Sequence, residues 1–98
     1  MAFVQVIEFR AADIDPMRQA GEEWERATEG KRTARRQIIG RDRNDPDHYY
    51  MMVFFDSYES AMVNSELPET QAIATSFARL TDGPPVFRDL DIVEDRST

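Results

Sequence analysis

Among the 98 residues there is one histidine, His48, and no cysteine. That inventory removes several chemistries at once. Without thiols there is no thiolate nucleophile, no thiolate metal site and no disulfide framework. One imidazole among scattered carboxylates does not supply the converging ligands that a metal needs. His48 is also the only side chain whose unperturbed pKa lies near neutrality. It follows Asn44-Asp45-Pro46-Asp47 directly, where a surface position at a strand start is expected. No phosphate loop, dinucleotide fingerprint or nucleophile elbow is present. Charge is the remaining resource: 12 basic against 19 acidic residues leave a net charge of −7. Nonspecific nucleic-acid binding depends on neutralising phosphates and is disfavoured. Arg26, Lys31, Arg32, Arg35, Arg36, Arg41 and Arg43 nevertheless crowd into one stretch. Such a cluster is either an anion site or a set of ion pairs between neighbouring elements, and the second arrangement is the commoner.

The elements that must position these groups follow from residue patterning. His48–Asp56, His-Tyr-Tyr-Met-Met-Val-Phe-Phe-Asp, is the densest apolar run. As a strand it sends Tyr49, Met51, Val53 and Phe55 to one face and Tyr50, Met52 and Phe54 to the other, so both faces need cover. Ala2–Arg10 is a second such strand, with Gln5 its only polar interruption before Glu8. Asp15 as N-cap and Pro16 at the first helical position then predict a helix to about Glu29, closed by Gly30. Its inner side carries Met17, Ala20, Gly21, Trp24, Ala27 and Thr28 at helical spacing. Arg32–Arg43 is a more polar strand, suited to a sheet edge. A turn at Asn44–Asp47 returns the chain as a hairpin. Asp56 and Glu59 have the spacing of a capping box for the next helix. Pro68 ends that helix and starts another, in which Ile73, Phe77 and Leu80 form the inner stripe. The last strand is Val86–Glu94, with Arg88 sharing a face with Val86, Leu90 and Ile92.

The predicted order, strand–helix–strand–strand–broken helix–strand, describes an α+β, ferredoxin-like βαββαβ domain with a four-stranded antiparallel sheet. The His48 and Ala2 strands lie centrally, flanked by the Arg32 and Val86 strands. Residues 1–94 form a single domain and 95–98 a flexible tail. No apolar run is long enough to span a bilayer, and the start of the chain lacks the features of a secretory signal, so a cytoplasmic protein is expected. Helices on one side leave the other apolar sheet face bare. A homodimer through that face is the economical solution. In such a dimer Arg35 and Arg41 are expected to meet Asp89, Asp91 or Glu94 of the second copy.

Met51-Met-Val-Phe-Phe-Asp-Ser-Tyr-Glu-Ser-Ala-Met62, followed by Asn64-Ser-Glu-Leu-Pro-Glu-Thr70, resembles the dimeric α+β barrel superfamily, and within it the antibiotic-biosynthesis-monooxygenase-like proteins. The topology covers nearly the whole chain and the motif only this portion. Members that oxygenate phenolic or polycyclic substrates use neither metal nor flavin, so the resemblance implies no cofactor. It also implies a pocket between helices and sheet where polar groups stabilise a deprotonated substrate as it reacts with oxygen. Asn64 stands where the family commonly carries histidine, and could donate to an oxyanion. Trp24 could do the same through its indole N–H, or line the pocket. Arg88 could neutralise developing charge, and Tyr50 or Tyr58 could supply a hydroxyl. Haem degradation is disfavoured, because the second helical region has neither histidine nor tryptophan.

Each candidate also has a structural reading. Asn64 can serve as a helix-end hydrogen bonder, Trp24 as core, Arg88 as the partner of an acid on an adjoining strand, and both tyrosines as core or interface. Two functions therefore stand side by side. One is a cofactor-independent monooxygenase, or related enzyme, for an aromatic or polyketide-like molecule. The other is a noncatalytic, ligand-binding or stress-response dimer.

Overall fold

A computed structural model describes residues 1–98. Strand β1 (Phe3–Arg10) leads to helix α1 (Asp15–Ala27), then to strands β2 (Arg36–Arg41) and β3 (His48–Phe55). Helices α2 (Tyr58–Glu66) and α3 (Pro68–Leu80) follow, and β4 (Val86–Asp91) closes the chain. The four strands lie in the order β2-β3-β1-β4, every neighbouring pair antiparallel. The two apolar runs therefore occupy the centre and the two more polar strands the edges, as their patterning requires. The outer strands are shorter than expected: β2 runs only from Arg36 to Arg41, and β4 ends at Asp91, opposite the first residue of β1.

Register decides which side chains meet. On β1 and β3 the pairs Phe3–Phe55, Gln5–Val53, Ile7–Met51 and Phe9–Tyr49 share one face. That face is covered by the helices. Val4–Phe54, Val6–Met52, Glu8–Tyr50 and Arg10–His48 share the other, which has no helix on it. On the helix side the core forms two separate clusters. Ile7, Phe9, Ala11, Met17, Tyr49, Met51 and Phe77 make the larger, while Phe3, Phe55 and Ala61 make the smaller. Val53 packs against both. No helix is long and apolar enough to cross a membrane.

Several local expectations change. Helix α1 starts at Asp15 with Ile14 as its cap, and no side chain caps it. Asp13 instead accepts a bond from the Asp15 backbone N–H at 3.0 Å, so the aspartate two residues earlier does the local work. The helix stops at Ala27, where the Thr28 hydroxyl donates to the Trp24 carbonyl at 2.6 Å. Gly30 takes the positive φ of 79° that the turn needs. The capping box of α2 is Ser57 with Ser60, each side chain bonded to the other's backbone N–H at 3.1 Å. A serine hydroxyl replaces the usual carboxylate there, which frees Asp56 for Arg35 at 2.7 Å.

Candidate functional site

The helices do not fill the sheet. Between the two core clusters lies a cavity of about 230 Å³, floored by the sheet and roofed by all three helices. The floor carries Gln5, Gln37 and Val53, and the roof Trp24, Asn64 and Thr70. Aromatic and aliphatic side chains make up most of the remaining wall. None of the 17 lining residues is ionisable.

The position of Asn64 follows from its neighbours. It lies in the last turns of α2, 5% exposed, and its side-chain oxygen accepts the backbone N–H of Thr33 at 3.2 Å. The same threonine donates its hydroxyl to the Ser60 carbonyl at 2.5 Å, tying the segment before β2 to α2 from two directions. Its oxygen is engaged by Thr33, while its two amide N–H donors make no bond within the chain and remain for the cavity. The side chain is thus held as a donor, the arrangement that meets negative charge.

Trp24 is fixed differently. Its indole N–H donates to the Thr70 hydroxyl at 2.9 Å, joining α1 to the first turn of α3. Lys31 and Glu69 make a second link beside it at 2.8 Å. That bond holds the Glu69 carboxyl below the usual carboxylate range. With its only donor already used, Trp24 is a wall of the cavity rather than a donor to its contents.

The sequence matches no family model and no curated protein. Solved structures do match. SnoaB, a cofactor-independent oxygenase from Streptomyces nogalater solved as a mutant, superimposes with a TM-score of 0.80 at 10% identity, over 96% of this chain and 95% of that one. Rv0793 from Mycobacterium tuberculosis gives 0.77 at 11% identity, over 99% and 100% of the two chains. An antibiotic biosynthesis monooxygenase gives 0.71 at 13% identity, over 96% and 100%. The fold is that of the antibiotic biosynthesis monooxygenases. At such identities the likeness is one of fold, and the site has to be argued from its own residues.

Within this monooxygenase-like fold, the candidates named from sequence are divided between two places. Asn64 and Trp24 line the cavity. Arg88 and Tyr50 do not, because register puts both on the open face: Arg88 opposite Val6, and Tyr50 opposite Glu8. Tyr58 begins α2 outside the cavity, 47% exposed, with its ring edge-on to Phe3 at 5.4 Å. Arg88 approaches Glu8 at 3.8 Å, so it does face an acid on an adjoining strand.

His48 joins that open-face group. Its Nε2 lies 2.7 Å from Glu8 and its ring 4.9 Å from that of Tyr50. Only 15% of its side chain is exposed, so the expected surface position is largely covered. Burial pushes the Tyr50 hydroxyl above its ordinary pKa, and the negative charge of Glu8 adds to this. The expected arginine contacts change too. Arg35 pairs within the chain with Asp56, while Arg41, Asp89 and Asp91 fall in register on the helix side of the sheet. They cannot meet across a dimer formed through the opposite face. Nowhere are three histidine, aspartate or glutamate side chains grouped to hold a metal ion.

Gln5 and Gln37 are cavity residues that no motif marks. Gln5 nevertheless carries a signal: a lone polar side chain at an inward position of an otherwise apolar strand needs a polar reason to be there.

Proposed function

We propose that the cavity takes an aromatic or polyketide-like small molecule and that the protein oxygenates it with dioxygen, without a cofactor. The observation that carries this reading is the donor state of Asn64, buried, anchored through its oxygen and left with two N–H groups for the cavity. The likeness to SnoaB supports it at the level of fold.

For an anthrone-type substrate the reaction replaces a ring CH₂ by C=O, with dioxygen consumed and water released. No base lines the cavity, so the proton leaves to water and the negative charge spreads onto the ring oxygen. Asn64 donates to that oxyanion. The anion passes one electron to dioxygen, and the radical pair combines into a carbon-bound peroxide anion, which takes a proton back from water. Loss of water then leaves the ketone. Donors fixed where charge develops favour the anion over the neutral substrate, which lowers the barrier to forming it. The apolar wall strengthens the same interaction by excluding water.

Oxygen uptake with a panel of hydroquinones and anthrones tests this. Saturable uptake above the uncatalysed rate, weakened by Asn64→Asp, is expected. Uptake no faster than background overturns it. The absence of any ionisable lining residue favours a second reading, a noncatalytic ligand-binding protein; saturable binding of the same compounds without turnover would establish that one.

The open face supports assembly as a homodimer. Val86 and Leu90 are 45% and 47% exposed, and Val6, Met52, Phe54 and Ile38 are only partly covered. A second copy laid sheet to sheet removes this surface from water and gives the dimeric barrel arrangement. Light scattering should give twice the chain mass at micromolar concentration, and Met52→Glu should return the single chain. A wild-type monomer would refute the dimer.

A further inference from the structure

We infer that Gln5 and Gln37 select the ligand by charge, admitting a flat, uncharged molecule with a hydrogen-bonding group at each end and turning away its carboxylated or aminated relatives. The inference rests on the proposal that the cavity takes an aromatic ligand, and adds to it two polar anchor points that a planar hydrophobic slot alone would not have.

The two glutamines occupy one row of the sheet. Both are register partners of Val53, one on each side, so the row reads Gln37–Val53–Gln5 across three strands. Their backbones are two strand spacings apart, about 10 Å, the scale of a fused three-ring system. Between them the floor is apolar. Each terminal amide both donates and accepts, so it can meet a phenol, a quinone oxygen or an ether.

Their present bonds are weak. The Gln37 amide donates to the thioether of Met51, a poor acceptor. Gln5 reaches Asp89 only at 3.5 Å. A ligand oxygen can displace either contact at little cost. Asn64, whose oxygen is fixed on a backbone N–H, differs in this respect.

Charge is excluded by the lining itself. A carboxylate or ammonium group brought into the cavity would lose its hydration and find no ionised side chain among the lining residues. That arrangement is disfavoured by several kcal/mol unless a partner offsets it. Asp89, the register partner of Gln5 on β4, adds repulsion against an anion at that end. An uncharged entrant also suits the proposed reaction, because the single negative charge then appears only after binding, at Asn64.

The chain has one tryptophan, and it lines the cavity, so fluorescence of Trp24 reports occupancy directly. The probes are 1,8-dihydroxyanthraquinone, its 3-carboxylate and its 3-aminomethyl derivative, each titrated at neutral pH. These quinones are already oxidised, so binding is read apart from turnover. The neutral quinone should bind at least about tenfold tighter than either charged relative. Gln5→Leu and Gln37→Leu should each weaken the neutral probe by about threefold to tenfold. Gln37→Lys should admit the carboxylate and reverse the order between those two probes.

Equal binding of neutral and charged probes, or neutral binding unchanged in both leucine variants, would overturn the inference. So would a complete lack of binding by all three probes, which would also remove the aromatic ligand. Intact charge selection in a protein that consumes no oxygen would leave the inference standing and overturn the oxygenase reading alone.

Discussion

The two faces of the sheet are built from the same strands and carry opposite resources. The helix face holds a cavity whose polar groups are all neutral, while the open face brings together the titratable side chains Glu8, His48, Tyr50 and Arg88. Alternation along a strand enforces the separation, since neighbours in sequence point to opposite sides. Glu8 lies between Ile7 and Phe9, both buried under the helices, yet it belongs to the other face. Space and titratable chemistry are therefore divided. A reaction in the cavity has to rely on fixed neutral donors and on the acidity of its own substrate. Acid–base catalysis is not available from the residues that line the cavity.

Replacing Asn64 tests this division most strongly. Asn64→Asp keeps an oxygen for the Thr33 N–H but exchanges the two donors for negative charge. Turnover measured by oxygen uptake should fall by about 10²–10³-fold, and the buried, unpaired carboxylate should lower the thermal midpoint as well. Activity retained in that variant would move the chemistry away from the helix face.

Stability should divide in the same way. Met17, 1% exposed in the larger core cluster, should cost about 2–5 kcal/mol when replaced by alanine. Leu90→Ala, at 47% exposure on the open face, should cost under about 1 kcal/mol in the isolated chain. If a second copy covers that face, the Leu90 penalty should grow with protein concentration while the Met17 penalty stays fixed. Urea unfolding of both variants at two concentrations separates these behaviours.

The strands and their order could be read from sequence because both signals are local and strong. Two apolar runs with two-sided burial belong at the centre of a sheet, and a run carrying Arg35, Arg36 and Arg41 belongs at an edge. Assignment of the site was less legible, because alternation tells which residues share a face but not which face receives the helices. The family resemblance groups Arg88 and Tyr50 with Asn64 around one pocket, and only the pairing of β1 with β3 and β4 separates them. Gln5 was visible as an interruption in β1, yet its partner across the cavity is on another strand. That convergence is a product of register. The Asp56–Glu59 spacing suggests a capping box that the fold gives to Ser57 and Ser60 for a related reason, since Arg35 competes for Asp56 from a distant part of the chain.

A smaller effect is expected from the open-face charges. Arg88→Ala and Tyr50→Phe should each leave turnover within about threefold of wild type, because neither lines the cavity. The Arg88–Glu8 pair is 3.8 Å long with the arginine 55% exposed, so its loss should change stability by about 0–1 kcal/mol. A tenfold fall in turnover for either variant would show that the two faces cooperate in the reaction and would break the comparison.

The smallest expected effect depends on pH and distinguishes the two faces once more. On the helix side, Lys31 holds the Glu69 carboxyl below its ordinary pKa, chiefly through their hydrogen bond. On the opposite side, Arg10 does the same to Asp45, again mainly by hydrogen bonding. A carboxylate with a depressed folded pKa stabilises the fold fully above its unfolded pKa, and that contribution is lost as pH falls through the folded value. Both pairs should therefore weaken only on the acid side, and their contribution should be full and constant around neutrality. The Lys31–Glu69 link stands beside the Trp24–Thr70 bond, so its loss should loosen the cavity roof, whereas the loss of Asp45 should not. Glu69→Gln should shift the acid transition of Trp24 fluorescence, while Asp45→Asn should leave that transition in place and alter only overall acid stability. If both substitutions move the tryptophan signal together, the helix layer and the open face unfold as one unit, and the chemical division between them has no mechanical counterpart.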